Sequence, residues 1–321
     1  MSTADLVVIG AGPTGLFATY YAGFRGLRVA LVDSLPELGG QITAMYPEKA
    51  ILDVAGFPSV KGRDLVSGLV TQAMTADPAL HLDRTAETLV HEGDRVVVGL
   101  DDGTRIEAGA VLITAGIGKF SPRALPAAEG WLGRGLEFFV PSFEPYQGKD
   151  VVIVGGGDSA FDWAQHLEPI AASVTLVHRR DAFRAHQRTV ATVRDSSVEI
   201  ITKAQVTALR GEDTLQEVEI TVDGQEPHTR PAQAVVAALG FIADLGALQT
   251  WGIDTDKRHV CVDTSMRTNL ERVFAAGDIT EYPGKVRLIA VGFGEAATAV
   301  NNAAVAIDPS AHVFPGHSSE G

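Results

Sequence analysis

Two stretches of this chain repeat one pattern: an apolar run, a glycine-rich turn, a helix-like stretch and a second apolar run. The first copy reads LVVIGAGPTG over residues 6–15 and reaches VALVD at 29–33. The second reads VVIVGGGDSA over 151–160 and reaches VTLVHRR at 174–180. The apolar runs carry β-branched residues on consecutive positions, as expected of parallel strands covered on both faces. In the first copy Gly10 turns the chain, Gly12 lets backbone approach a pyrophosphate, and Gly15 allows close helix–strand packing. Pro13 suits the first helical turn, where a missing N–H costs nothing. Gly155, Gly157 and Ala160 hold the matching places in the second copy, with Asp158 and Ser159 opening its helix. A lone glycine motif is weak. Here each instance follows a strand pattern, precedes a helix pattern and meets a second strand at the proper distance.

The two copies end in opposite charge. Asp33 closes the first, 18 positions past Gly15, and His178 closes the second, 18 positions past Ala160. A carboxylate there accepts both hydroxyls of an adenosine ribose and repels a 2′-phosphate, which suits FAD or NAD(H). His178 is followed by Arg179 and Arg180, with Arg184 close behind. Guanidinium groups offer charge-assisted donors to a 2′-phosphate, so the second copy favours NADP(H). One site of each kind in one chain is the equipment of a flavoprotein reductase.

With 321 residues the chain is long enough for two domains with their own cores. Three parts are expected: 1–118 as the first part of an FAD-binding domain, 119–245 as an inserted NADP(H)-binding domain, and 246–321 as the returning second part. Helices are expected from Pro13 to about Arg25, over 62–76, and from near Gly292 to about Ile307. A hairpin is expected within 94–114, turning at 101–104. The stretch 35–47 contains Gly39 and Gly40 and is expected to be irregular, with backbone held close to a neighbour such as a cofactor. The apolar runs are too short to span a bilayer, and the N-terminus shows no signal pattern. A net charge of -14 disfavours nucleic acid as a partner. These features point to a soluble, cytoplasmic protein. His166, His186, His228 and His259 form no metal-ligand pattern, and no metal is expected.

In combination, GAGPTG at 10–15, GGQ at 39–41, GGGDSA at 155–160, HRR at 178–180 with Phe183 and Arg184, and AGD at 276–278 resemble the thioredoxin-reductase-like flavoproteins. The resemblance covers almost the whole chain. It implies an α/β fold of two Rossmann-like FAD/NAD(P)-binding domains, the NADP domain inserted into the FAD domain. It also implies that Asp278 meets the ribityl–pyrophosphate region of FAD, and that Ser159, Arg179, Arg180 and Arg184 meet NADP(H).

One departure chooses the branch. Thioredoxin reductases carry a redox CxxC before the second glycine motif, whereas residues 138–149 here hold no cysteine. The single cysteine, Cys261, cannot form an internal disulfide. Residues 46–49 (YPEK), 53–58 (DVAGFP) and the tail from Pro315 resemble the ferredoxin/flavodoxin–NADP+ reductases, which lack the dithiol. By that resemblance Tyr46 stacks on one face of the isoalloxazine. His317 covers the other, from the partner subunit of a homodimer, and moves during turnover. Gly40, Gln41, Thr14, Ala86, Phe120 and Ser319 become further FAD contacts. Hydride then passes between nicotinamide C4 and flavin N5, and single electrons pass to ferredoxin or flavodoxin, without a protein acid or base. Lys49, Lys61 and Arg63 are candidates for a basic docking patch. The competing readings are an NADPH-dependent reductase of a quinone or external disulfide, a flavin monooxygenase, and a non-catalytic FAD/NADPH-binding sensor or scaffold.

Overall fold

The computed structural model describes residues 2–314 and 316, the side chains of 119, 120 and 243 excepted. The chain forms two compact units, one from residues up to 120 and from 243 onward, the other from 121 to 242. The chain crosses between them twice, and the crossing segments Lys119–Pro122 and Phe241–Asp244 pair as a two-stranded sheet.

The first unit centres on a five-stranded parallel sheet. Its order is Val273–Ala275, Ala110–Ile113, Leu6–Ile9, Val29–Asp33, Ala79–Leu82. The four inner and returning strands are buried along their whole length, which is why they read as unbroken apolar runs. Successive side chains serve opposite faces. Leu6, Val8, Leu31 and Leu112 pack toward α1 (Pro13–Phe24), α3 (Gly62–Met74) and α6 (Ile289–Ile307). Val7, Ile9, Val32, Val111 and Ile113 instead join a second core with Val96, Val98 and Ile106. That core lies under a four-stranded sheet containing Ala86–Glu92, Arg95–Leu100 and Arg105–Ala108. The C-terminal part of the chain thus supplies one edge strand and one covering helix to a sheet begun at the N-terminus.

The second unit repeats the plan. Its parallel sheet runs Leu136–Glu137, Ala234–Ala238, Asp150–Gly155, Ser173–Val177, Glu199–Ile201. Helix α4 (Asp158–Leu167) buries Phe161, Trp163 and Leu167, and α5 (Gln187–Arg194) packs beside it. A three-stranded antiparallel sheet, Ala204–Arg210, Glu217–Val222 and His228–Pro231, closes the other core.

The structure departs from the expectations in two places and adds one strand for which there was none. Residues 35–47 are not wholly irregular, because a five-residue helix, α2 (Gln41–Met45), forms between Gly40 and Pro47. Helix α6 starts three residues before Gly292, since burial of Gly292, Ala296 and Ala299 outweighs the poor helix propensity of Gly292 and Gly294. Ala86–Glu92 is a strand without an apolar alternation, five of its seven residues being exposed.

Candidate functional site

The first glycine turn is shaped by contacts that admit no side chain at two of its three glycines. Gly10 has φ +110°, and a Cβ there would stand 2.5 Å from the Thr114 carbonyl oxygen. A Cβ on Gly15 would stand 1.8 Å from the Gly10 carbonyl oxygen. Gly12 differs: its φ and ψ of -70° and -177° suit any residue, and a Cβ there meets nothing within 4 Å. The open space beside Gly12 is a cavity of about 520 Å³. Helix α1 starts at Pro13 with no side-chain cap, so its first-turn N–H groups remain available to an anion.

Gly39 and Gly40 close over this turn. The Gly39 N–H donates to the Ala11 carbonyl at 2.9 Å, and a Cβ on Gly40 would meet Gly12 Cα at 2.8 Å. The expected close approach is therefore made to the first glycine turn itself. Thr14 fills the space left by two further glycines, its side chain lying where a Cβ of Gly277 or Gly292 would be.

Asp33 sits at the end of its strand, 8% exposed. Its Oδ2 accepts the Ala11 N–H at 2.5 Å and its Oδ1 accepts the Leu35 N–H at 2.8 Å. The carboxylate is thus fixed against the glycine turn by the backbone on both sides. Burial pushes its pKa above the usual carboxylate range, and the two N–H donors oppose that.

The cavity gathers Gly10, Gly12, Thr14 and Asp33 from the first copy of the pattern. It adds Gly40, Gln41 and Tyr46 from the α2 region, Ala86 from the second sheet and Asp278 from the returning chain. Gly15 does not line it and packs beneath the turn. Burial raises the Tyr46 hydroxyl pKa, with the charges of Asp278 and Asp53 adding to the effect. Burial also raises Asp278, against the pull of Lys285 and Arg287. Sequence reasoning missed Asp83, Arg84, Thr85 and Asp101, and Leu245 to Leu248 on the returning chain. They belong to no motif and reach the cavity only through sheet pairing and chain return. Phe120 lies in a crossing strand, but its side chain is outside what is described, as are His317 and Ser319 entirely.

In the second unit the turn follows the same physical logic. A Cβ on Gly155 would stand 2.4 Å from the Ala238 carbonyl oxygen, while one on Gly157 meets nothing within 4 Å. Gly157 precedes α4 without a side-chain cap, and Asp158 and Ser159 are exposed at its start while Ala160 is buried. His178 lies flat against the turn, its ring 2.3–2.5 Å from where a Gly156 Cβ would be. Burial lowers its pKa, a hydrogen bond with the Ala182 backbone opposes that, and the charges of Arg179, Arg180 and Arg184 lower it further. The following loop is tied back to the turn by two bonds. The Arg184 N–H donates to the Gly156 carbonyl at 2.8 Å, and the His186 N–H to Asp158 Oδ1 at 2.8 Å. Arg179, Arg180 and Arg184 are exposed and make no ion pair with a described residue. Three cations close in sequence and an uncapped helix N-terminus have the chemistry to attract an anion.

This pair of glycine turns, one backed by a buried carboxylate and one by arginines, belongs to a definable class. The chain belongs to the pyridine nucleotide-disulphide oxidoreductase family, whose model matches residues 4–304. Its similarity runs to ferredoxin–NADP reductases: it is 80% identical to that of Nocardioides sp. over 99% of this chain and 97% of the relative. It is 62% identical to that of Frankia alni over 98% of both chains. In fold it is similar to the thioredoxin reductase of Lactococcus lactis, with TM-score 0.78 at 23% identity over 95% of this chain and 99% of that one. The thioredoxin reductase of T. acidophilum gives TM-score 0.77 at 24% identity, over 97% and 99%.

Proposed function

We propose that the chain is an FAD-dependent ferredoxin–NADP+ reductase. The observation that carries this reading is the contrast between the two turns, a buried carboxylate at the first and three exposed guanidinium groups at the second, in a chain with one cysteine. The cavity of the first unit fits FAD. Its volume lies within the usual range for small-molecule sites. Gly12 leaves room for a pyrophosphate, α1 presents its N-terminus, and Asp33 is held ready for ribose hydroxyls. Tyr46 and Asp278 border the remainder. When bound, FAD accepts an electron pair from NADPH and releases it singly to a one-electron carrier, which is the chemistry this pairing of sites requires.

The chain's own part is to bind and to orient. Ser159, Arg179, Arg180 and Arg184 receive the 2′-phosphate of NADPH, while His178 supports the turn beneath. No side chain needs to exchange a proton with substrate. The relatives named ferredoxin–NADP reductase support ferredoxin as the acceptor. Flavodoxin as an alternative carrier, a homodimer and a cytoplasmic location complete the reading. Among the described residues no helix is long and apolar enough to cross a membrane.

Anaerobic stopped-flow reduction of the FAD-loaded protein tests the nucleotide assignment. NADPH is expected to reduce it well ahead of NADH at equal concentration. Arg179→Ala/Arg180→Ala should narrow the gap by about 100-fold or more, mostly through the apparent affinity for NADPH, since each charge-assisted bond is worth ~1.5–3 kcal/mol. Comparable wild-type rates with both nucleotides would sink the assignment.

A further inference from the structure

The first unit hides a charged pair that none of the chemistry above uses. The side chains of Lys285 and Glu295 are 1% and 5% exposed, and the Lys285 ammonium donates to Glu295 Oε1 at 2.5 Å. The Tyr282 hydroxyl donates to the same oxygen at 2.5 Å. The other carboxylate oxygen, Oε2, accepts the Gly277 N–H at 2.7 Å, and Lys285 also donates to the Gly277 carbonyl at 2.9 Å. Gly277, at φ +83°, is thus held through its N–H by the carboxylate, and its carbonyl accepts from the ammonium as well as from the Thr280 N–H and hydroxyl at 3.0 and 2.8 Å. The next residue is Asp278, which lines the cavity.

We propose that Lys285 and Glu295 are positioning residues for the nucleotide cavity, acting through the two peptide groups that flank Gly277 to aim Asp278 into it. Apolar side chains of similar volume can fill the space of a buried ion pair at little or no cost in stability. They cannot accept the Gly277 N–H, and they leave its carbonyl to the Thr280 donors alone. The pair also stands in the electrostatic surroundings of Asp278, Lys285 favouring its charged form and Glu295 opposing it. A role in supporting the fold and a role in aiming Asp278 therefore predict different outcomes when both charges are removed together. The inference rests on the reading of this cavity as the FAD site.

The test compares wild type with Lys285→Met/Glu295→Met, measuring the FAD dissociation constant and the thermal midpoint of the FAD-free protein. The double variant is expected to fold, melting above Lys285→Met alone because no charge is stranded, and to bind FAD at least about tenfold more weakly. Asp278→Asn should weaken FAD binding in wild type and add little in the double variant, because groups acting as one unit are not additive. Tyr282→Phe removes one donor without stranding a charge, and should weaken binding a few-fold even if the double variant does not fold. Wild-type FAD affinity in a folded double variant, or an unchanged affinity in Tyr282→Phe where the double variant does not fold, overturns the inference. A wild-type protein that binds no FAD would instead overturn the reading of the cavity, and the inference with it.

Discussion

Gly15→Ala is expected to prevent the first unit from folding stably, whereas Gly12→Ala, three residues earlier, leaves the fold intact and abolishes tight FAD binding. A Cβ on Gly15 would lie 1.8 Å from a backbone carbonyl oxygen and 2.7 Å from Thr114 Oγ1. Backbone at the centre of a parallel sheet cannot yield as a flexible side chain would, so the cost sits at the upper end of overpacking, about 3 kcal/mol. That is a large share of the stability of an ordinary domain. At Gly12 the backbone is already in a region open to alanine, and the added methyl enters empty space. The FAD-free Gly12→Ala protein should melt at or slightly above the wild-type temperature, because alanine reduces the freedom of the unfolded chain. The methyl then occupies the approach to the pyrophosphate. FAD affinity is expected to fall by about 100-fold, or ~2.7 kcal/mol. Thermal melts of the apoprotein together with FAD titrations separate the two effects. Equal behaviour of the two variants would contradict this account of the turn.

The second large effect is expected from Lys285→Met alone. It strands the Glu295 carboxylate, 5% exposed, with only the Gly277 N–H and two hydroxyl groups to answer its charge. Removing one partner of a buried ion pair costs ~3–5 kcal/mol, far more than the net contribution of the intact pair. Denaturant unfolding at neutral pH checks the size. A loss under 1 kcal/mol at neutral pH would show that water reaches Glu295 freely.

Much of this architecture is legible in the amino-acid order because the physics behind it is local. The strands Leu6–Ile9, Ala110–Ile113 and Val151–Val154 are buried on both faces, and so they are written as unbroken apolar runs. Gly10 and Gly15 are required by contacts with neighbouring backbone, and the charge at Asp33 and at Arg179 and Arg180 follows directly from strand ends. The remainder depends on distant pairing. Ala86–Glu92 lies half-open on a sheet and carries no alternation, so only its partner Arg95–Leu100 marks it as a strand. The antiparallel sheet over 204–231 likewise escaped notice, although its buried positions form part of one core. Arg84, Asp101 and Leu248 reach the cavity by tertiary packing and share no spacing. Glu295 did leave a trace: it is the lone charge in the nineteen-residue helix α6. A single carboxylate in an otherwise uncharged helix of that length marks a buried partner.

The basic patch considered for docking also looks different in three dimensions. Lys61 and Arg63 both reach the Glu48 carboxylate, at 3.2 and 2.5 Å. They do come together, but around a carboxylate that offsets part of their charge. A local patch near neutrality in a chain of net charge -14 still repels an acidic carrier less than the average surface does.

In the proposed reaction, electrons from NADPH reach a one-electron protein carrier without a protein thiol on the way. A single-turnover experiment tests this, with FAD-loaded Cys261→Ala protein reduced anaerobically by NADPH and mixed with oxidised ferredoxin. Ferredoxin should be reduced at the wild-type rate, with two ferredoxins reduced per NADPH. Loss of ferredoxin reduction in Cys261→Ala, or wild-type protein that takes up electrons from NADPH and passes none to ferredoxin, would contradict it.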